Sequence, residues 1–527
     1  MRIIDCLEQS PALIKGEAKF IDLDNGISLN YQEMINASWH IAGILSEKGV
    51  KANDVVATYA PNSVAAYCCI FAVSCIDAIW IPLNAKNTLE ANLKLLKKSN
   101  ASMLIVDDSI VKKLPELDKH FPNDHCLKFN GQHVAGQSIK FFASTSNAIK
   151  QQEVKKQSAD HTIDEQALLS LFATGGTTGD SKLAEWSSLT WQSLVSIQME
   201  LMPVTDIPPC YLVCAPMTHA SGVSSFALML QGASIVVMDA MVPDTVLSTI
   251  ETYQVTHLFL PPTAIYMLLT HDGVKDHDYS SLRYFWYAAA PMSVEKLKEA
   301  MDIFGPVMVQ TYGQAESPML CTFLSVEDHR QALEKNDFSK LRSCGKAAPQ
   351  IELEIMDDGG NILPRGKEGE IVVKGGLLMR RYYNNPEATA EIRINGWQRT
   401  GDVGIFDEDG YVSIVDRKRD MIISGGFNVY PSEIEQLIWG HPAINDCAVI
   451  GIPDEKWGEQ VTAVVELKDK NIKPDEKEII AICKEKLGSI KAPKQIIFWD
   501  ELPRSPVGKV LKKDIRKVFW DATDRKI

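Results

Sequence analysis

The stretch LFATGGTTGDSKLAEWS (171–187) joins a short apolar run to a loop of Thr and Gly that ends near one lysine, Lys182. Such a loop exposes backbone N–H groups and hydroxyls without bulk, and glycine adopts positive φ at little cost. It can therefore fold around phosphate oxygens, with the lysine supplying a positive charge. It is not a Walker A sequence, because Lys182 follows Ser181 and precedes Leu183. From the loop alone, a phosphate site and a plain surface turn are equally open.

The chain around this loop changes its pattern twice. Apolar β-branched runs alternate with amphipathic helical patterns up to about residue 340, which predicts α/β layers with largely parallel sheets. From about residue 343, short strands with glycine turns follow, as in 351–376 and 404–417, and predict a β-rich unit. A smaller α/β pattern resumes after the charged run 416–420. The predicted boundary therefore separates a domain over 1–417 from one over 418–527.

The composition is that of a soluble globular protein, with 527 residues, 45% hydrophobic and 23% charged. A net charge of −14 argues against nonspecific binding to nucleic acid or to anionic membranes. The most apolar run, 64–76, is too short for a transmembrane segment and predicts a buried core helix. The start of the chain carries Asp5 and Glu8 and does not resemble a signal peptide, so a cytoplasmic location is predicted. The eleven cysteines include no CxxC pair and predict free buried thiols.

Seven short motifs follow one another along nearly the whole chain. They are TGGTTGDSK (174–182), PMTHASG (216–222), AAAP (288–291), QTYGQAES (310–317), RTGD (399–402), DRKRDMIISGGFNVYPSEIE (416–435) and PRSPVGKVLKKDIR (503–516). In this order they resemble the acyl-adenylate-forming enzymes, which include acyl-CoA synthetases, aryl-CoA ligases, luciferases and peptide-synthetase adenylation domains. The sequence is most similar to an acyl-CoA synthetase.

This resemblance implies a reaction in two steps. A carboxylate attacks the α-phosphate of ATP to give acyl-AMP and pyrophosphate, and the thiol of coenzyme A then releases acyl-CoA and AMP. ATP, Mg²⁺, coenzyme A and a small carboxylic acid are thus the implied cofactors and substrates. The implied fold is a large N-terminal domain of two layered α/β subdomains and a barrel-like β-rich unit, with a small mobile C-terminal α/β domain.

The resemblance also implies site residues. Lys182, Glu316, His219 and Lys509 take catalytic roles, and Lys509 reaches from near the chain end to the carboxylate and the α-phosphate. Glu316 and Thr177 would hold Mg²⁺. The implied ATP and AMP contacts are Thr174, Gly175, Gly176, Thr177, Thr178, Gly179, Ala288, Ala289, Ala290, Pro291, Tyr312, Gly313, Gln314, Ala315, Asp402 and Arg417.

Several of these implied residues have more specific roles. Tyr312 would stack on adenine, and Asp402 would accept hydrogen bonds from both ribose hydroxyls. Arg419 falls at the hinge position of the family. The implied coenzyme A contacts are Ser424, Gly425 and Gly426, and the implied acyl pocket is formed by His219, Ala288, Thr311 and Gly313.

The sequence departs from the family pattern on the nucleotide side. Gly175, Ser181 and Leu183 replace the usual Ser, Pro and Gly of the phosphate loop, and Ala315 replaces a Thr. The Thr hydroxyl would contact the α-phosphate, and one hydrogen bond to a charged group contributes roughly 1.5–3 kcal/mol. No essential charge is lost, so an active enzyme is expected.

On the acyl side, Gly313 keeps the small residue that acetate-specific relatives replace with Trp, while Ala288 and Thr311 replace typical glycines. The first feature enlarges the pocket and the second narrows it. A medium or long aliphatic acid or an aryl acid is therefore the predicted substrate.

Other functions stay open at this stage. The acyl group could pass to a carrier-protein thiol instead of coenzyme A, or the chain could be a nucleotide sensor without catalysis. Retention of the charged motif residues argues against the sensor. An amino-acid substrate would need a carboxylate for its ammonium group, and no Asp or Glu occurs over 213–238. A homodimer is one option for the assembly.

Overall fold

The computed structural model contains four β-sheets, with nine, eight, five and five strands. Among the helices that it describes, none combines the length and the hydropathy needed to span a bilayer. The structure describes residues 1–114, 116–117, 123–144, 163–174, 181–454, 456–470, 472–504 and 510–520.

The nine-stranded sheet has a parallel core of six strands with antiparallel strands at both edges. In spatial order its strands are Lys346–Ala347, Ser317–Leu324, Met308–Gln314, Tyr284–Tyr287, His257–Leu260, Cys210–Val213, Ser234–Val237, Lys19–Asp22 and Ile27–Asn30. The helices that lie between its strands in sequence are Ser188–Leu201, Ala220–Leu230, Pro243–Thr252, Pro262–Leu269, Val294–Phe304 and Val326–Lys335. The predicted alternation of strands and helices is confirmed here, with a parallel core as the alternating pattern requires.

The eight-stranded sheet has the same construction. In spatial order its strands are Leu183–Ser187, Leu168–Ala173, Ile79–Asn84, Val55–Ala60, Met103–Asp107, Cys126–Phe129, His133–Val134 and Gln137–Ser138. Every residue of its three central strands is buried, as expected for a parallel sheet covered on both faces. The helices in this part of the chain are Asp5–Glu8, Ala12–Lys15, Tyr31–Glu47, Val64–Cys75, Leu89–Ser99, Asp108–Lys113 and Ile139–Ser144.

The helix Val64–Cys75 confirms the prediction of a buried core helix for the most apolar run. Each of its residues is buried, and the helix contacts strands of both large sheets. Ser63 caps its first turn by accepting a hydrogen bond from the Ala66 N–H at 3.0 Å. The predicted buried thiols are also confirmed, because all eleven cysteines are buried.

The β-rich unit is a five-stranded antiparallel sheet that ends at Arg417. Its strands are Glu352–Met356, Gly369–Lys374, Trp397–Phe406, Arg393–Ile394 and Val412–Arg417, and the short helix Pro386–Glu391 accompanies them. Gly410, with a φ of 83°, lies in the turn before the last strand, as the sequence predicts.

A second five-stranded sheet forms the C-terminal part of the chain. Its strands are Phe427–Val429, Ile422–Ser424, Gly458–Leu467, Ile444–Asp454 and Gln495–Trp499, and its helices are Pro431–Trp439, Glu476–Lys491 and Lys512–Trp520. This part has an apolar core of its own, in which Ile422, Ile434 and Val461 are almost fully buried. A large and a small α/β part are thus present, whereas the boundary between 417 and 418 stays a prediction.

Candidate active site

The predicted adenine turn, 288–291, directly follows the parallel strand Tyr284–Tyr287. It therefore lies at the carboxyl edge of the nine-stranded sheet, which is where open α/β sheets bind their ligands. Ala289 in this turn has a φ of 73°. This left-handed conformation costs a residue with a Cβ roughly 1–2 kcal/mol, and glycine adopts it without that strain.

Three of the predicted nucleotide residues meet at one point. The Tyr312 hydroxyl donates to Asp402 Oδ2 at 2.6 Å, and Arg417 Nε lies 3.4 Å from Asp402 Oδ1. Asp402 and Arg417 are register partners on neighbouring antiparallel strands, which is why residues distant in sequence come together. Burial, followed by the Asp402 charge, raises the pKa of the Tyr312 phenol well above its usual value. The Tyr312–Asp402 bond was missed by sequence reasoning, and the stacking of Tyr312 on adenine stays a prediction.

Lys182 and Glu316 both contact a residue that the sequence did not single out, Tyr382. The Tyr382 hydroxyl donates to Glu316 Oε1 at 2.7 Å, and Lys182 Nζ lies 4.7 Å from the centre of the Tyr382 ring. Burial and the Glu316 charge raise the pKa of the Tyr382 phenol above its usual value. Tyr382 therefore contacts the cation through its ring and the carboxylate through its hydroxyl.

Neutral hydrogen bonds fix the turn that carries Glu316. The indole N–H of Trp186 donates to the Ala315 carbonyl at 2.7 Å, and the Gln398 side chain donates to the Glu316 carbonyl at 2.8 Å. Gln314 in turn donates to the Thr400 carbonyl at 3.0 Å. The first two bonds hold the backbone at 315–316, so the Glu316 carboxylate is positioned through its own main chain. Neither Trp186 nor Gln398 belongs to a motif that sequence reasoning identified.

The ends of the phosphate loop are tied together. The Thr174 N–H donates to the Lys182 carbonyl at 2.9 Å, and the Lys182 N–H donates to Thr174 Oγ1 at 3.2 Å. The loop thus connects two antiparallel strands, Leu168–Ala173 and Leu183–Ser187. The predicted site residues that lie outside the described residues are Gly175, Gly176, Thr177, Thr178, Gly179 and Lys509.

The predicted acyl side begins at His219. This residue is exposed and precedes the helix Ala220–Leu230, and its Nδ1 lies 2.8 Å from Thr218 Oγ1. Three residues further on, Gly222 allows a close approach, because a Cβ there would lie 1.9 Å from the Met217 carbonyl oxygen. The glycine of this motif is therefore needed to seat the helix beside His219.

Two other acyl-side residues have specific neighbours. Thr311 is buried, and its Oγ1 accepts the Trp286 indole N–H at 2.7 Å. A Cβ at Gly313 would lie 2.4 Å from the Met319 backbone nitrogen. The close packing of two strands is therefore a sufficient reason for glycine at 313, beside its predicted effect on pocket size, which stays a prediction.

Residues 7–383 match the family model described as AMP-binding enzyme, and residues 433–509 match the one described as AMP-binding enzyme C-terminal domain. The chain belongs to the AMP-binding enzyme family. It is 32% identical over 498 residues to a feruloyl-CoA synthase from Amycolatopsis sp, covering 94% of each chain. It is 37% identical over 390 residues to the medium/long-chain-fatty-acid–CoA ligase FadD8 of Mycobacterium tuberculosis (strain ATCC 25618 / H37Rv), a match covering 73% of this chain and 66% of that relative.

A solved structure, ATP-bound MatB from Rhodopseudomonas palustris, has the same fold as this AMP-binding enzyme. The TM-score is 0.86 with 27% sequence identity, over 99% of this chain and 100% of that one. The large N-terminal part and the smaller C-terminal part are thus those of an adenylate-forming enzyme.

The predicted hinge of the AMP-binding enzyme is hydrogen-bonded to the helix Lys512–Trp520. Arg516 donates to the Arg419 carbonyl at 3.2 Å and to the Asp420 carbonyl at 3.0 Å. Burial, together with the nearby Arg417 charge, lowers the pKa of the Arg419 guanidinium. In this conformation the hinge segment 416–420 is therefore held through its backbone.

The predicted coenzyme A segment is a tight hairpin turn between Ile422–Ser424 and Phe427–Val429. Gly425 and Gly426 have φ values of 59° and 82°, which favour glycine. A Cβ at Gly425 would lie 2.7 Å from the Trp457 ring. Ser424 itself is buried. The two glycines are therefore required by the turn, and their contact with coenzyme A stays a prediction.

Proposed function

We propose that this AMP-binding enzyme is an ATP-dependent carboxylate–CoA ligase that works through an acyl-adenylate. The observation that carries the proposal is the arrangement of charge beside the carboxyl edge of the large sheet. Lys182 and Glu316 both contact Tyr382, and Asp402 is held by Tyr312 and Arg417. A cation, a carboxylate for a metal ion and a buried carboxylate for a sugar are the groups that ATP requires.

The chemistry follows from these positions. In the first step a carboxylate oxygen forms a bond to the α-phosphorus, and the bond from that phosphorus to the pyrophosphate oxygen breaks. Two anions must approach each other, so catalysis depends on positioning and on stabilisation of phosphate charge. We assign Lys182 to the pyrophosphate, Asp402 to the ribose, and Lys509 to the reacting carboxylate and α-phosphate.

In the second step the sulfur of coenzyme A bonds to the acyl carbon, the bond to the AMP oxygen breaks, and the thiol proton is released. We assign Ser424, Gly425 and Gly426 to the approach of coenzyme A. Lys509 of the first step and residues 424–426 of the second step both belong to the C-terminal part, so the proposal includes a movement of this part about Arg419 that brings each to the N-terminal part in turn. The domain boundary at 417/418 is part of this proposal.

Glu316 fits the role of a magnesium ligand. Mg²⁺ at nucleotide sites takes one or two carboxylates and completes its coordination with phosphates and water. Among the described residues, no three His, Cys, Asp or Glu side chains are grouped to hold an ion without the nucleotide. A bound Mg²⁺ would neutralise phosphate charge, and the Tyr382 hydroxyl would orient the Glu316 carboxylate.

The acid is proposed to be a medium or long aliphatic acid or an aryl acid. Two relatives support this range, since one is named for medium and long fatty acids and the other for feruloyl-CoA. The cytoplasmic location and the homodimer stay predictions, and a carrier-protein thiol stays the alternative acceptor.

The test is pyrophosphate release with ATP, Mg²⁺ and a panel of carboxylic acids, each with and without coenzyme A. Release with one class of acid, together with formation of its CoA thioester, is the expected result. Release without a thioester would favour a carrier-protein acceptor, and no release with any acid would contradict the proposal. Glu316→Gln should lose most of the release, whereas Glu327→Gln, at an exposed position of the helix Val326–Lys335, is the matched control and should keep it.

A further inference from the structure

One face of the strand Tyr284–Tyr287 leads away from the candidate site. Side chains of a strand alternate between its two faces, so Tyr284, Trp286 and the following Ala288 share a face. Successive members of this row lie about 7 Å apart along the strand. Ala288 is a predicted acyl-pocket residue, so an acyl group that extends along this face meets Trp286 next.

Trp286 is fixed across the path of such a group. The side chain is 3% exposed, its indole N–H donates to Thr311 Oγ1 at 2.7 Å, and its ring packs edge-on against Phe259 with centres 5.4 Å apart. Because Thr311 is itself a predicted acyl-pocket residue, the hydrogen bond joins the indole to the pocket wall. Moving the indole aside would leave a buried N–H without this partner, which is unfavourable.

A small cavity, lined in part by Tyr284 of the same row, lies against the indole. The residues that line it include Met202, Tyr211, Leu228, His257, Tyr284 and Trp286. Trp286 therefore contacts the acyl pocket through Thr311 and the cavity through its own ring. It is the partition between the two spaces.

His257 supplies an unusual polar group to this cavity. Thr256 Oγ1 lies 2.9 Å from the Cys210 carbonyl oxygen and 2.7 Å from His257 Nδ1, so the Nδ1 atom has a hydrogen-bond partner. The other ring nitrogen is Nε2. It is buried and has no hydrogen-bond partner among the residues that the structure describes. Burial also lowers the pKa of His257 to about 3, which keeps the ring neutral.

We propose that Trp286 is the floor of the acyl pocket and sets the length of the acid, and that the His257 cavity is a closed extension of that pocket. The inference rests on the proposed function and names the acid more closely. The native substrate is an acid that ends at the indole, such as an aryl acid or a medium-length aliphatic acid. If the indole is removed, the pocket continues to His257, whose Nε2 forms a hydrogen bond with a hydroxyl at the far end of a longer acid.

The test compares Trp286→Leu with wild type over straight-chain acids of increasing length, by kcat/KM for pyrophosphate release. One methylene in an apolar pocket changes discrimination by about 10- to 200-fold. We therefore expect the variant to gain at least about tenfold on acids longer than the wild-type optimum, relative to that optimum. Phe285→Leu is the matched control, because Phe285 is fully buried on the opposite face of the same strand. It should keep the wild-type profile.

Two further variants make the test specific. Trp286→Phe keeps a ring but loses the bond to Thr311, and should shift the profile in the same direction by a smaller amount. If Trp286→Leu does not fold, Trp286→Phe still tests whether the indole limits the length of the acid. In the Trp286→Leu background, ω-hydroxy acids should be preferred over unsubstituted acids of the same length, and an added His257→Phe should abolish that preference.

An unchanged length profile in both Trp286 variants, with an active wild type, would overturn the inference and leave the proposed function intact. If the length profile shifts but His257→Phe leaves the preference for ω-hydroxy acids unchanged, or no such preference exists, only the role of the His257 cavity would be overturned. Wild-type protein that releases no pyrophosphate with any acid would overturn both this inference and the proposed function.

Discussion

The two ends of the candidate site are built by different means. On the nucleotide side, charged groups are held by other polar groups, as Asp402 is held by Tyr312 and Arg417. On the predicted acyl side, none of the predicted pocket residues carries a full charge at neutral pH, and Trp286 donates a hydrogen bond to Thr311. The nucleotide side must meet one fixed ligand, so its residue types are constrained. The acyl side is defined by shape, which many residue combinations can provide.

The largest expected effect on the nucleotide side comes from Lys509→Ala. Removing a group that stabilises developing charge typically lowers the rate by about 10²–10³. Acyl-adenylate formation should fall by this amount, while thioester formation from supplied acyl-AMP should be retained. Separate assays of the two half-reactions measure this, with Lys513→Ala, an exposed lysine of the same motif, as control. Equal loss of both half-reactions would contradict the assignment.

A second prediction concerns two buried histidines, His329 and His257. His329 accepts the Tyr287 hydroxyl at Nε2 and donates from Nδ1 to the Ser325 carbonyl, and burial lowers its pKa to about 4. The unfolded chain binds a proton near pH 6.5 and the folded chain only below this lowered value. Stability should therefore fall as the pH drops from about 6.5 to 4, by at most about 3 kcal/mol for this residue.

Urea unfolding at several pH values tests this prediction. His329→Gln keeps a donor and an acceptor but does not titrate, so the stability of the variant should depend less steeply on pH in that window. His257→Gln should flatten the same window, since its pKa is also lowered by burial, to about 3. If the slopes of both variants equalled that of wild type, the neutral buried state of the two histidines would be wrong.

A smaller effect is expected for Tyr382→Phe. The variant loses the hydrogen bond to Glu316 but keeps a ring beside Lys182. A hydrogen bond to a charged group contributes roughly 1.5–3 kcal/mol, so kcat/KM for adenylation should fall about 10- to 100-fold. The required Mg²⁺ concentration should also rise, because Glu316 is no longer oriented. Tyr383→Phe, which alters the adjacent phenol, should leave both quantities near wild type, and a matching loss in it would count against the role of Tyr382.

The smallest effect is expected between the two sides, at the adenine turn. Ala289→Gly should relieve roughly 1–2 kcal/mol of backbone strain and lose about 0.5–1 kcal/mol to the greater entropy of the unfolded chain. A net gain of about 0.5–1 kcal/mol in unfolding free energy is the result. Ala290→Gly, where φ is not positive, should be destabilising instead. Equal changes in both variants would contradict the strain at Ala289.

The contrast between the two sides also explains what could be predicted from the sequence. Asp402 and Arg417 were identified because their motifs are contiguous, and the structure places them on paired strands. Tyr382, Trp186 and Gln398 were missed, because each reaches the site from a distant segment and acts on Glu316 or its backbone. Trp286 was missed because an aromatic residue in a β-strand is ordinarily part of a core. The sequence predicted an effect of Gly313 on pocket size, but it did not reveal that close packing of two strands also requires glycine at this position.

The fold shows the same division. The helix Val64–Cys75 and the parallel strands follow directly from apolar patterning. The pairing of Lys19–Asp22 and Ile27–Asn30 with the edge of the nine-stranded sheet does not, since it joins the chain start to a strand more than 200 residues away. Long-range pairing depends on how separate layers pack, and no local pattern encodes that.

The most direct test of the central claim is detection of the acyl-adenylate itself. Wild-type protein is mixed with ATP, Mg²⁺ and the preferred acid without coenzyme A, and the bound products are identified by mass spectrometry. We expect acyl-AMP and pyrophosphate in equal amounts, and a strong loss of both in Asp402→Ala. Formation of ADP and phosphate, or acyl-AMP that is undiminished in Asp402→Ala, would contradict this claim.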